Sequence, residues 1–219
     1  MPIKAIINPV TPFAQNAPII FCTETKKCAF IDPGGDSEKL LNIAMENDLI
    51  PEKIFLTHGH ADHAGAAMEI AEILNLKIEG PHREDKFLLD SLQSQGEMFG
   101  ISARNCVPDK WLVDGDKVYL GNEELDVVFT PGHTPGHIVF FNAASKLALV
   151  GDVIFNGSIG RTDLPRGNHQ DLIDSISKKL WKLGNDVEFI CGHGPNSTFG
   201  RERASNPFVS DDALAKVIF

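Results

Sequence analysis

Four side chains that can bind metal ions lie within six consecutive residues of the chain. They belong to the run Thr57-His58-Gly59-His60-Ala61-Asp62-His63-Ala64-Gly65, where a predicted buried strand ends and a helix begins. His58 and His60 alternate in an extended turn, so both imidazoles can point to the same side. Asp62 and His63 fall in the first helical turn. Because imidazoles packed so closely are electrostatically unfavourable without a cation, the run predicts a metal site with room for two ions.

Three later segments also place a ligand-type residue beside a glycine at the end of a predicted strand. They are Gly132-His133, Gly151-Asp152 and Gly192-His193. The glycines leave room for one shared site, and strand ends are where sheets of the α/β type place their chemistry. His137 is expected to lie behind the ligands rather than to bind metal. For Asp32, Asp36 and Asp163, orienting a ligand histidine and serving in turns or caps are equally good explanations.

The elements that must position these residues alternate between strands and helices. Strands are predicted at 3–7, 19–23, 28–32, 53–57, 76–79, 117–120, 125–130, 138–142, 147–150 and 187–191. Helices are predicted after a cap at Asp36 or Ser37, and over 64–74, 83–93 and 170–183. Residues 93–109 are the least regular part and a candidate for a mobile flap. We expect a single domain, residues 1–219, with two mixed sheets face to face and helices outside.

The overall composition indicates an ordinary globular protein, with 42% hydrophobic and 23% charged residues. The 30 acidic and 20 basic residues give a net charge of −10, which would repel a phosphate backbone. No apolar stretch approaches the roughly 18 residues of a membrane span, and the first residues lack the pattern of a secretory signal. We therefore expect a cytoplasmic protein without nucleic-acid or membrane partners. The sequence leaves the oligomeric state open.

The cysteines do not indicate a thiolate metal site. Cys22, Cys28, Cys106 and Cys191 show no Cys-x-x-Cys spacing. Cys22 and Cys28 could form a disulfide across a hairpin in an exported protein. The favoured interpretation is that both are reduced, half-buried residues of a cytoplasmic protein.

The motif His-x-His-x-Asp-His at 58–63 and the later ligand-type residues resemble the metal-binding signature of the metallo-β-lactamase superfamily. The resemblance covers essentially the whole chain and implies an α/β (α+β) fold, the four-layer αβ/βα sandwich of that superfamily. It implies two metal sites, bridged by Asp152. The implied first-site ligands are His58, His60 and His133, and the implied second-site ligands are Asp62, His63 and His193. Asp62 and Asp152 would be the catalytic carboxylates.

Two further segments are similar to the type II glyoxalases, or hydroxyacylglutathione hydrolases, and most to a short single-domain bacterial branch. They are 130–137 and 151–161. The runs Gly160-Arg161-Thr162-Asp163 and Gly192-His193-Gly194-Pro195 are typical of the same branch. This implies hydrolysis of a thioester, S-D-lactoylglutathione or a related acyl-glutathione, by a metal-activated hydroxide. Two divalent ions per chain are implied, zinc first, with iron or manganese as alternatives. Arg161 matches a basic position that would hold a substrate carboxylate, although an ion pair with Asp163 is an equally good explanation.

The chain also departs from full-length type II glyoxalases. Those enzymes have a C-terminal helical domain, whereas this chain ends soon after Asn206-Pro207-Phe208, and Gly194-Pro195-Asn196 replaces an expected tyrosine. The main alternative is a persulfide dioxygenase with a single iron on His58, His133 and Asp152. The complete second-site set, which includes His193, favours the hydrolase. A lactonase or an RNA-processing nuclease of the superfamily is less favoured, and the acidic charge argues against the nuclease.

Overall fold

Two mixed β-sheets form the centre of the fold, as the sequence predicts. The computed structural model describes residues 2–216. In chain order the strands are β1 (Ile3–Ile6), β2 (Pro9–Val10), β3 (Gln15–Asn16), β4 (Ile19–Cys22), β5 (Lys27–Ile31), β6 (Ile50–Phe55), β7 (Lys77–Glu79), β8 (Lys117–Leu120), β9 (Glu123–Phe129), β10 (Ile138–Asn142), β11 (Leu147–Gly151), β12 (Ile154–Phe155), β13 (Ser158–Ile159), β14 (Glu188–Cys191) and β15 (Ser197–Thr198). One sheet has the order β1-β4-β5-β6-β7 and the other β15-β14-β11-β10-β9-β8, while β2-β3 and β12-β13 are separate hairpins.

The helices cover the two outer faces of this pair of sheets. They are α1 (Ser37–Glu46), α2 (Ala61–Ala64), α3 (Ala67–Leu74), α4 (Lys86–Leu89), α5 (Leu92–Phe99), α6 (His169–Asp174), α7 (Phe199–Ser205) and α8 (Asp211–Lys216). Apolar residues of α1, α3 and α5 pack on the first sheet. Those of α6 and α7 pack on the second. The result is a four-layer sandwich, which confirms the predicted fold class.

The alternation of side chains along β10 explains how one strand serves two cores. Ile138 and Phe140 point into the layer between the sheets, where the ring of Phe140 lies 5.0 Å from that of Phe55 between centroids. Val139 and Phe141 point the other way, into the layer beneath α6. Because both faces of β10 are buried, its first four residues are an apolar run with no polar alternation.

Strand direction brings the predicted ligands to one edge of the sandwich. β11 and β14 are parallel, and β9 runs in the same direction because both β9 and β11 are antiparallel to β10. Their carboxyl ends therefore lie at the same edge, and the segments that follow them carry His133, Asp152 and His193. In the first sheet, β6 ends shortly before His58. Four strand ends thus supply one site, which is where sheets of this type place ligands.

The segment between 83 and 109 is more regular than the sequence suggests. The predicted helix over 83–93 is instead a 3₁₀ turn, Arg83–Asp85, followed by α4. A separate helix, α5, occupies the first half of 93–109, so the prediction of an irregular segment was wrong there. The sequence hides α5 because Gly96 interrupts it. A Cβ at Gly96 would lie 2.6 Å from the carbonyl oxygen of Ile101, so close packing requires glycine there.

Two other predicted helices are subdivided. The helix expected over 64–74 begins earlier, and it consists of α2 and α3. The helix expected over 170–183 continues from α6 as a π-helical turn, Ser175–Lys179, and a 3₁₀ turn, Leu180–Leu183. The four cysteines are buried and unpaired. No helix within residues 2–216 is long and apolar enough to cross a membrane. The assignment of residues 1–219 to one domain remains a prediction.

We expect Phe140→Ala to destabilise the sandwich strongly, because Phe140 is fully buried between the sheets. Truncating it leaves a cavity, and the free energy of unfolding should fall by about 3–5 kcal/mol in urea titrations. Phe208→Ala is the matched control, since Phe208 is 50% exposed, and its effect should stay within about 0.5 kcal/mol. Equal effects of the two substitutions would show that the inter-sheet layer is not the main core.

Candidate metal centre

Two groups of three ligand-type side chains face each other at the edge of the sandwich. In each group the candidate ligand atoms lie within 4.8 Å of one another. One group is His58, His60 and His133, and the other is Asp62, His63 and His193. These are the two sets that the sequence predicts, and we call them the first and the second trio. Their roles as metal ligands remain a prediction.

In the first trio, three imidazole nitrogens converge on one point. Nδ1 of His60 lies 3.1 Å from Nε2 of His58 and 3.1 Å from Nε2 of His133. His133 donates its Nδ1–H to the carbonyl oxygen of Arg161 at 2.8 Å, which leaves the lone pair of its Nε2 free. Nδ1 of His58 lies 3.0 Å from the hydroxyl oxygen of Thr57, which can accept a hydrogen bond from Nδ1–H. The surroundings therefore orient both lone pairs towards the trio.

The second trio is oriented in the same way. His63 donates Nδ1–H to Asp32 at 3.0 Å, and His193 donates Nδ1–H to the carbonyl oxygen of Phe13 at 3.2 Å. Nε2 of His193 then faces Oδ2 of Asp62 at 3.3 Å. For Asp32, the structure thus favours orientation of a histidine over a turn role alone. Asp36 lies elsewhere, at the start of α1, and accepts from the backbone N–H of Thr11.

Asp152 lies between the two trios. Its Oδ1 is 3.3 Å from Nε2 of His63, and its Oδ2 is 3.6 Å from Nε2 of His133 and 3.7 Å from Nε2 of His193. One carboxylate therefore reaches nitrogens of both groups. His137 does not face this point. Its Nε2 accepts a hydrogen bond from the backbone N–H of Asp152 at 3.1 Å, so His137 contacts the backbone of the aspartate and not its carboxylate.

The donor atoms fit divalent metal ions. Nε2 of His63 and Oδ1 of Asp152 are among the few buried side-chain polar atoms in residues 2–216 that lack a hydrogen-bond partner. A buried polar atom without a partner destabilises the folded state. A cation between the trios would satisfy both atoms. Imidazole and carboxylate ligands without thiolate suit zinc, iron and manganese.

The electrostatics of the site favour replacement of a proton by a metal ion. Burial, reinforced by the neighbouring histidines, lowers the pKa of His58 well below its usual value and that of His60 to about 3, so both are neutral. Burial also acts to lower the pKa of His63, but Asp152 and Asp62 outweigh it and raise that pKa well above its usual value. The His63 proton thus provides positive charge between two carboxylates, a role that a cation can take over.

A cleft of about 430 Å³ opens onto the two trios. It is lined by Phe13, His60, Asp62, Gln95, Phe99, His133, Asp152, Phe155, Ser158, Ile159, Arg161, Leu164 and His193. At its rim the rings of Phe13 and Phe99 meet edge to face, with centroids 5.9 Å apart. The Arg161 guanidinium makes two hydrogen bonds of 2.7 Å to the Asp163 carboxylate. The cleft is therefore mostly apolar around a charged floor.

Sequence reasoning missed three residues of this site. Phe13 and Phe99 come from the β2–β3 turn and the end of α5, where no chemical motif marks them. Asp85 is a buried carboxylate that hydrogen-bonds two of the ligand-bearing loops. Its neighbours in the chain are charged as well, so the local sequence does not single it out. Contacts between residues so distant in the chain cannot be derived from spacing alone.

Comparison with known proteins identifies the class. The family described as the metallo-beta-lactamase superfamily matches residues 10–193. The chain is 44% identical over 206 residues to the hydroxyacylglutathione hydrolase GloC of Haemophilus influenzae, covering 93% of this chain and 97% of that relative. The chain therefore belongs to the metallo-beta-lactamase superfamily, and it is an enzyme of that superfamily. The resemblance to the type II glyoxalases is confirmed as well.

Two solved structures are similar over nearly their whole length. The B3 metallo-beta-lactamase BLEG-1 has a TM-score of 0.86 and 32% identity, covering 94% of this chain and 99% of that one. TTHA1623, in a di-iron-bound form, has a TM-score of 0.84 and 33% identity, covering 93% of this chain and 100% of that one. Both support the described sandwich.

We expect Asp152→Ala to prevent metal binding at both trios, because Asp152 is the side chain that reaches both. Elemental analysis of the purified variant should give well under one ion per chain, against about two for the unmodified protein. Asp126→Ala, at an exposed aspartate on β9, is the control and should retain the full metal content. If Asp152→Ala keeps two ions, Asp152 does not bridge them.

Proposed function

We propose that the chain is a thioester hydrolase that acts on S-D-lactoylglutathione or a related acyl-glutathione at a binuclear metal site. The observation that carries the proposal is the position of Asp152 between two complete ligand trios at the floor of a cleft. The 44% identity to a hydroxyacylglutathione hydrolase over nearly the full length supports the thioester as substrate.

The proposed cofactor is a pair of divalent ions. The first trio would hold one ion, the second trio the other, and Asp152 would bind both. Zinc is the first choice, and iron and manganese are alternatives with the same ligand preferences. The di-iron form of TTHA1623, at 33% identity, supports iron as a serious alternative. When bound, two such ions lower the pKa of water towards neutrality and polarise a carbonyl oxygen.

The chain's own residues would bind and orient the thioester. Phe13, Phe99, Phe155 and Leu164 form apolar walls that exclude water from the reacting carbonyl. Asp62 is the more exposed of the two catalytic carboxylates, with 23% of its side chain accessible against 11% for Asp152. It is therefore the better placed to accept a proton from the attacking water. A thiolate leaves readily, so no strong acid is needed on the leaving-group side.

The remaining proposals concern the surroundings of the enzyme. We assign it to the cytoplasm, with a small-molecule thioester as partner and with neither nucleic acid nor membrane as partners. The net charge of −10 supports the exclusion of nucleic acid. A persulfide dioxygenase would need one iron ion and only part of the ligand set. The convergence of the second trio, including His193, favours the hydrolase.

The proposed function predicts hydrolysis of S-D-lactoylglutathione by the purified protein with about two metal ions per chain. Treatment with a chelator should abolish turnover, and added zinc should restore it, because the reaction depends on the metal pair. The assay follows loss of the thioester absorbance beside elemental analysis of the same sample. One iron per chain, no hydrolysis and oxygen uptake with glutathione persulfide would instead establish the dioxygenase.

We also expect Arg161→Ala to raise KM for S-D-lactoylglutathione with little change in kcat, because Arg161 lines the cleft and belongs to neither ligand trio. The effect should be about two- to fivefold, since Arg161 is exposed and already paired with Asp163. Arg203→Ala removes a comparable exposed ion pair, with Asp211, outside the cleft and should leave KM unchanged. An unchanged KM for Arg161→Ala would show that this arginine only anchors its loop.

A further inference from the structure

A buried carboxylate outside the two trios connects the loops that carry the first trio. Asp85 ends the 3₁₀ turn Arg83–Asp85 and has no exposed surface. Its Oδ2 accepts from the backbone N–H of Gly59 at 2.9 Å and from the hydroxyl of Thr134 at 2.8 Å. Its Oδ1 accepts from the backbone N–H of Gly136 at 2.5 Å. All three partners are donors, and none of them is a cation.

Two of the three donors lie next to predicted ligands of one metal ion, and the third lies in the same loop as His133. Gly59 lies between His58 and His60, and Thr134 directly follows His133. The third donor, Gly136, is 51 residues from Asp85 along the chain. One carboxylate therefore fixes the distance between two loops that belong to opposite sheets. It has no hydrogen bond to the second trio within residues 2–216.

The close approach of the backbone shows that these loops are built around Asp85. A Cβ at Gly136 would lie 2.4 Å from the backbone nitrogen of Asp85 and 2.6 Å from its Oδ1. A Cβ at Gly59 would lie 2.7 Å from Cβ of Leu88 and 3.2 Å from the carbonyl oxygen of Asp85. Any larger residue at either glycine would push its loop away from the carboxylate.

We propose that Asp85 is a positioning residue for the first metal ion, holding His58 and His60 at the distance from His133 that this ion requires. It acts through the three loop donors and does not touch the metal. A carboxylate suits this role because both oxygens only accept hydrogen bonds. An amide at the same place would turn an N–H group towards at least one of the three donors. The proposal relies on the proposed ligand trios but not on the proposed substrate.

The decisive test measures metal affinity for each trio separately. His193→Ala leaves the first trio complete, and His133→Ala leaves the second trio complete. Asp85→Asn is added to each background, and the affinity for cobalt(II) is measured by competition with a chromophoric chelator and by the cobalt absorption spectrum. We expect Asp85→Asn to weaken binding about 10- to 100-fold in the His193→Ala background. In the His133→Ala background the change should stay within about twofold.

Two further variants test whether a loss of metal affinity is specific to the hydrogen bonds of Asp85. Asp90→Asn changes an exposed aspartate five residues further along, which pairs with Lys86, and it should leave both affinities unchanged. Thr134→Val removes one donor and keeps the carboxylate, so it should weaken the first trio in the same direction but less. If Asp85→Asn does not fold, Thr134→Val decides the question. Equal losses in both backgrounds, or no loss in either, would overturn the proposal.

Failure of this proposal can be distinguished from failure of the proposed function. If neither single-trio background binds cobalt while the unmodified protein does, the assignment of the trios is wrong. If the unmodified protein binds two ions but hydrolyses no thioester, the substrate is wrong and the role of Asp85 can still be measured. A selective loss at the first trio supports Asp85 as a positioning residue whatever the substrate is.

Discussion

The structure depends on a single electrostatic constraint: five histidines and two carboxylates must be brought together at one edge of the sandwich. Nε2 of His63 and Oδ1 of Asp152 are buried atoms that have no hydrogen-bond partner within residues 2–216. Desolvated groups of this kind are tolerated where a function needs them. The raised pKa of His63 between Asp62 and Asp152 has the same origin. Both features are consistent with an edge shaped for cations.

The scaffold meets that constraint by fixing the imidazole rings. In most of the predicted histidine ligands, the ring nitrogen that does not face the trio is hydrogen-bonded to the protein. Asp32 receives Nδ1–H of His63 and also the hydroxyl and backbone N–H of Thr57. Backbone carbonyl groups hold His133 and His193. Ligands oriented in this way lose little freedom when a metal binds, so most of the ordering is completed during folding.

The sequence predicts the fold class and the strand ends well, because period-two apolar runs and glycine-flanked ligands are local signals. It also predicts which side chains converge, since direction along β9, β11 and β14 follows from the topology that the resemblance implies. Prediction from the sequence fails where tertiary packing overrides the local conformational preference of a segment. Gly96 hides α5, and the single helix expected over 170–183 changes its hydrogen-bond pattern within a few residues. Asp85 is not predictable from spacing, because its three partners come from two distant loops.

The walls of the cleft bear on substrate choice more than its floor does. Similar proteins carry names as different as hydroxyacylglutathione hydrolase and B3 metallo-beta-lactamase, so the fold alone does not decide the activity. Here the carbonyl oxygen of Phe13 orients His193, while the Phe13 ring lies at the rim against Phe99. The same residue therefore contributes to the rim of the cleft through its side chain and to the orientation of a predicted ligand through its backbone.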